Sequence, residues 1–103
     1  METIQNYQTF QKIVQADLSV IIAKTKTCNV CVPITKKLET FMKDYPQIPL
    51  YQLYLEDILE FQGQQLIFTV PTIVIFSGGK EILRESRFID FEKVDRLLQI
   101  YIN

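Results

Sequence analysis

The chain holds two cysteines, Cys28 and Cys31, with only Asn29 and Val30 between them. There is no third cysteine and no histidine, so the usual donors of one chain cannot complete a tetrahedral zinc site. A C-x-x-C pair at a strand-to-helix junction has another use, thiol–disulfide exchange, in which a thiolate is the attacking species. Free N–H groups and the positive dipole end at a helix start favour a thiolate, which makes Cys28 the candidate nucleophile. Cys31, one turn later on the same face, is within reach of it and is the candidate resolving thiol. Lys24 and Lys26 are candidates to add positive charge, against the plainer reading of a solvated strand end. Two further readings of the pair stay open on the residues alone: inert core cysteines, or a metal site shared across a dimer and completed by carboxylates.

The elements that must position this pair can be read from apolar spacing. Tyr7, Phe10, Ile13 and Val14 recur at helical spacing and predict a helix ending near Asp17. Leu18–Ala23 reads as a buried strand, apolar and β-branched without alternation. After the cysteines, Ile34, Leu38, Phe41, Met42 and Tyr45 mark a second helix that Pro46 stops. Leu50–Leu55 is a second buried strand, and Asp57 is placed to cap a short helix running through Phe61 and halted by Gly63. Thr72–Phe76 is a third strand, Ser77-Gly78-Gly79-Lys80 a hairpin turn, and Glu81–Glu85 the returning strand. Asp90 caps a last helix with Phe91, Val94, Leu97, Leu98 and Tyr101 inward, and Ile89 and Val94 are placed for a hydrophobic staple. Strands separated by a helix should run parallel. A central mixed sheet of about four strands, covered by helices on both faces, follows.

Composition bounds the classes available. A chain of 103 residues, 48% of them hydrophobic, fits one packed domain spanning 1–103. A net charge of −1 and no basic stretch argue against a nucleic-acid partner. The longest apolar stretches, Leu18–Ala23 and Val70–Phe76, are too short to span a bilayer. The first residues, Met1-Glu2-Thr3-Ile4-Gln5, lack the charged and apolar regions of a secretory signal. The expectation is a monomer in a reducing cytoplasm, where a cycling disulfide is more plausible than a lasting structural one.

Three motifs together carry a resemblance over nearly the whole chain. They are Cys28-Asn29-Val30-Cys31 between strand and helix, Val70-Pro71-Thr72 opening the next buried strand, and Phe76-Ser77-Gly78-Gly79-Lys80 closing it. In this the chain resembles thioredoxin-like proteins, and the resemblance implies their three-layer α/β sandwich. It also implies a cis Val70–Pro71 bond, although an isolated X-Pro bond is cis only about 5–6% of the time. By the same carry-over Val70 pairs its backbone with an extended client, Pro71 discourages metal capture by the sulfurs, and Asn29 and Val30 complete the client-contacting set. The implied activity is reduction of protein disulfides with no bound cofactor or metal. Its partners would be disulfide-bearing client proteins, with a reductase or thiol pool supplying electrons.

The chain departs from the family pattern at several points. Thr25-Lys26-Thr27 precede Cys28 in place of the usual tryptophan, and Asn-Val replaces Gly-Pro between the cysteines, leaving the redox potential open. Ile22 stands where thioredoxins bury an aspartate that assists proton transfer, and Gln52 stands roughly where its lysine partner would be. The glycine of the client-binding loop is not evident around Ser86-Arg87-Phe88. Pro33 comes earlier than the family's kink proline and is expected to delete a hydrogen bond and shift or bend the helix start. These departures keep a redox-sensing or binding module with little turnover as the competing reading. Thr69-Val70-Pro71 is also similar to glutaredoxins, which makes a glutathione-dependent reductase the third.

Overall fold

A computed structural model describes residues 1–102. Its central element is the strand β2 (Ser19–Lys24), in which all six residues are buried. The other strands are β1 (Glu2–Thr3), β3 (Leu50–Tyr54), β4 (Thr72–Ser77) and β5 (Lys80–Ser86). They form one mixed sheet in the order β1-β3-β2-β4-β5. β2 runs parallel to β3, with Ile22 opposite Gln52, and antiparallel to β4, with Ile22 opposite Ile73. The parallel relation of the two crossover-linked strands is therefore as expected, and the count rises from about four strands to five. The addition is β1, whose two residues carry no readable period; it pairs with Tyr51 and Gln52 of β3.

Helices α1 (Tyr7–Ile13) and α3 (Leu59–Gln65) cover one face of the sheet, and α2 (Cys31–Met42) and α4 (Phe91–Ile102) the other. Alternation along the strands sorts the core into two clusters. Ile21, Ala23, Leu53, Val74 and Phe76 pack with Phe10 and Phe61, while Val20, Ile22, Ile73 and Ile75 pack with Leu38, Met42, Val94 and Leu98. Phe10 anchors the first cluster through edge-on contacts with Phe61 and Phe76, at centroid distances of 4.8 and 5.4 Å.

Several boundaries differ from those the sequence predicts. The end of α1 tightens into i→i+3 bonds, Gln15 N to Lys12 O and Ala16 N to Ile13 O, so regular helix stops at Ile13 rather than near Asp17. Asp57 caps nothing: it lies in a 3₁₀ turn, Leu55–Asp57, and pairs with Lys26, while Ile58 precedes α3. Gly63 does not halt α3 but sits inside it. The stop is Leu66, in the left-handed region at φ 54°, and the Arg84 guanidinium donates to the carbonyls of Leu66 and Gln65 at 2.9 and 2.7 Å. Those end-of-helix acceptors are thus satisfied by a side chain from β5. Tyr101, expected on the inner face of α4, is 46% exposed. The Asp90 cap is present, with Lys93 N donating to its carboxylate at 3.2 Å. Gly78 and Gly79 both take positive φ, and their N–H groups donate to Ala16 O and Val14 O.

α2 ends at Met42, so Tyr45, expected on that helix, lies in the turn after it and ties that turn to α4 by a polar contact. The buried Tyr45 hydroxyl donates to the Asp95 carboxylate and accepts from Gln99 Nε2 at 2.9 Å. Burial and the bond to Asp95 raise the phenol pKa above its ordinary value of 10.0. Tyr45→Phe should cost about 1 kcal/mol in denaturant titrations. A raised folded-state pKa means that this contribution is full below pH 10.0 and is lost as pH climbs through the raised value. The gap between wild type and variant should therefore be constant at neutral pH and close in alkali.

Candidate active site

β2 delivers the chain to the cysteines through a short run of turns. Cys28 N donates to Thr25 O at 3.3 Å, Cys31 N to Cys28 O at 3.2 Å, and Val32 N to Asn29 O at 3.3 Å. Regular helix begins at Cys31 itself, so Cys28 lies in the turn that leads into α2. The two cysteines are joined as a disulfide with their Cα atoms 5.3 Å apart. Cys28 is half-buried, while Cys31 is only 2% exposed. Asn29 and Val30 are exposed beside them, Val30 at 62%.

The helix start carries no competing anion. Val30 occupies the N-cap position without any side-chain cap bond, and the first turn holds no acidic residue. The positive end of α2 is thus left to the sulfur chemistry. Pro33 is the third residue of α2, where its missing N–H has no intrahelical partner to lose. The expected loss of a hydrogen bond does not occur, and the helix is continuous from Cys31 to Met42.

β4 begins at the same end of the sheet where β2 finishes, because Thr72 pairs with Ala23. Val70–Pro71, immediately before β4, is a cis peptide. Pro71 is buried and Val70 half-buried. The loop after β5 closes over this point, with Arg87 N donating to Pro71 O at 2.8 Å and the Ser86 and Thr72 hydroxyls 2.9 Å apart. Arg87 takes φ 63°, the left-handed region that glycine enters freely and an L-residue enters at a cost of about 1–2 kcal/mol. The glycine sought around residues 86–88 is thus replaced by an arginine that adopts a glycine-like backbone. Beside it Phe88 is 91% exposed.

Ile22 is fully buried in the cluster beneath α2, and Gln52 is occupied elsewhere, its Nε2 donating to Thr3 Oγ1 at 2.8 Å. Neither handles protons. The buried polar group on this side is Lys24, at the end of β2, whose Nζ donates to Thr35 Oγ1 at 3.2 Å. Thr35 in turn donates to Cys31 O at 2.7 Å. Burial lowers the Lys24 pKa and Glu39 pulls it back up. Lys26 stands apart, exposed and paired with Asp57 at 2.9 Å, a contact that raises its pKa. The burial of Lys24 was legible in principle, since alternation puts it on the same strand face as Val20 and Ile22. Thr35 carried one signal, its spacing of four from Cys31.

No family model matches the chain. The thioredoxin-like protein YdfQ of Bacillus subtilis is 33% identical over 87 residues, which cover 84% of this chain and 78% of that protein. Thioredoxin-1 of Saccharomyces cerevisiae is 28% identical over 72 residues, 70% of each chain. Among solved structures, the thioredoxin of Trypanosoma brucei brucei superposes with a TM-score of 0.86 at 18% identity, covering 98% of this chain and 90% of its own. That of Plasmodium falciparum gives 0.84 at 16%, covering 98% and 99%. The fold expected from three short motifs is thus the fold observed. With a relative this similar over most of its length and a C-x-x-C disulfide at the head of α2, the chain belongs to the thioredoxin-like family and is a thiol–disulfide oxidoreductase.

Proposed function

We propose that the protein reduces disulfides of client proteins, with Cys28 as nucleophile and Cys31 as resolving thiol. The observation that carries this reading is the unequal placement of the two sulfurs' residues, Cys28 half-buried in the turn and Cys31 2% exposed at an uncapped helix start. The Cys28 thiolate attacks a client disulfide, forming a mixed disulfide and expelling one client thiolate. Cys31 then loses its proton and attacks Cys28 Sγ, which forms the intramolecular disulfide and expels the second client thiolate. Two electrons pass to the client, and two electrons and two protons from a reductase or thiol pool restore the dithiol. Val70 and Pro71 would dock the client's extended backbone, with Asn29 and Val30 meeting it from the helix side. The exposure of Val30 and Phe88 supports an apolar landing surface around the sulfurs.

No helix among the described residues is long and apolar enough to cross a membrane. That is compatible with the cytoplasmic setting we propose, in which the pair cycles rather than staying oxidised. We take the working unit as a monomer that binds no nucleic acid. A low-turnover redox sensor is the alternative that Ile22 favours, because a fully buried isoleucine provides no general base for resolution, and such assistance is typically worth about 10²–10⁴-fold.

Brief iodoacetamide treatment of the reduced protein, mapped by mass spectrometry, should label Cys28 well ahead of Cys31. Equal labelling, or preference for Cys31, would remove the assigned roles. Cys31→Ser should accumulate mixed disulfides between Cys28 and client proteins in a lysate, and a variant that traps none points to the sensor. The potential of the Cys28–Cys31 couple separates directions of flow. A value of roughly −220 to −320 mV or below fits a reductase, whereas one near −120 mV marks an oxidant.

A further inference from the structure

Lys24 is the one buried basic residue among those described, at 9% exposure, and the exchange chemistry above makes no use of it. It forms none of the ion pairs in the described structure. Among the described residues its side chain makes one hydrogen bond, to Thr35, which is itself bonded to the carbonyl of Cys31. The groups that face it are few. From α2 come Thr35 and, acting through space, Glu39; from β3 comes the Tyr54 ring, with Nζ 5.5 Å from its centroid. Lys26 approaches the same ring at 5.8 Å, but its charge is engaged by Asp57, and Glu56 accepts its backbone N–H.

A buried ammonium without a bonded counter-ion is costly. The cost falls whenever a negative charge appears nearby, and charges interact most strongly where water is excluded. In the oxidised protein the cysteines carry no charge. On reduction, the disulfide takes up two electrons and one proton to give one thiolate and one thiol, with a client-type or small dithiol as the electron donor. The new anion appears on Cys28, in the same C-x-x-C as the Cys31 carbonyl to which Lys24 is linked through Thr35.

We propose that Lys24 is a positioning residue for the redox centre: its ammonium, held through Thr35 to the backbone of Cys31, stabilises the thiolate of the reduced pair. This rests on the reading of Cys28 and Cys31 as the exchanging pair. It differs from proton relay by a carboxylate, because the fixed group here is a cation that stabilises the attacking sulfur rather than a base that deprotonates the resolving one. Ile22, two residues back on the same strand face, is free to be core because Lys24 sets the charge of the site. The direction of its own titration agrees, burial holding it below the ordinary lysine value with only Glu39 in opposition. Coupling is mutual, so reduction should raise the affinity of Lys24 for its proton by the same factor by which Lys24 favours the thiolate.

The test compares wild type, Lys24→Met, which keeps the stem and removes the charge, and Lys24→Arg, which keeps the charge. Thiolate absorbance at 240 nm against pH reports the Cys28 titration, and equilibration with glutathione reports the couple. Lys24→Met should raise the apparent thiol pKa by about one unit, a tenfold loss of thiolate at a given pH below it. It should also favour the disulfide about tenfold, which is about 30 mV for this two-electron couple. Lys24→Arg should stay near wild type in both. Unchanged titration and equilibrium in a folded Lys24→Met overturn the proposal. Should that variant fail to fold, the Lys24 side chain can be titrated by NMR in wild type, oxidised and reduced: a higher pKa in the reduced protein supports the coupling, and equal values overturn it. A wild-type dithiol that exchanges with no disulfide overturns the functional reading alone, and the absorbance titration still decides for or against Lys24.

Discussion

β2 has no solvent face. Val20, Ile21, Ile22 and Ala23 are all at 0% exposure, so each residue on one side presses on α2 and α4 and each on the other presses on α1 and α3. Its hydrogen-bonding edges are filled by β3 and β4. A one-residue slip would exchange the two faces and undo both cores together, which fixes the register strongly. That rigidity is what the redox pair inherits. The strand runs out at Lys24, and the few residues to Cys28 form hydrogen-bonded turns rather than free loop. The helix carrying Cys31 is clamped to the same strand through Leu38 and Met42. The sulfurs are thus held between two elements that share one buried backbone.

How much of this was legible follows the strength of the local signal. Long apolar runs located β2 and β4, and the 3.6 period located α2 and α4, because each must bury a wide face. β1 escaped because two residues have no period, and their partners lie forty-nine positions away in β3. Gly63 misled because a glycine in a helix costs only about 1 kcal/mol, a penalty that packing of Phe61 easily outweighs. The true stop, Leu66, is a residue that local rules disfavour at positive φ, and it is made tenable by Arg84 from a strand not yet formed in sequence terms.

The site was legible to a different depth. Cys28, Cys31 and Val70–Pro71 stood out because their types and spacing are rare together. Of the charge arrangement only the two candidates, Lys24 and Lys26, were legible, and not which of them is buried. Lysines near a strand end are ordinarily solvated, and alternation gives Lys24 and Lys26 the same parity, so only the exact end of β2 tells them apart. The structure separates them by where the strand ends: Lys24 is the last residue of β2 and donates to Thr35 on α2, whereas Lys26, in the turn beyond it, is exposed and pairs with Asp57. Arg87 is a similar case. Its glycine-like backbone is imposed by the bond to Pro71 O and by the return of the chain toward Asp90, neither of which a residue type announces.

The two outer strands have a bearing on self-association. Sheet edges offer unpaired N–H and C=O groups to any passing strand, and long flat ones nucleate aggregates. On one side of this sheet the border is β1, only two residues long. On the other it is β5, which carries Lys80, Glu81, Arg84 and Glu85 and is kinked by a register shift opposite Ile75 and Phe76. A short margin and a charged, bent one give an incoming strand little to add to. For an extended client of the kind proposed above, that would leave the end of the sheet where the cysteines lie.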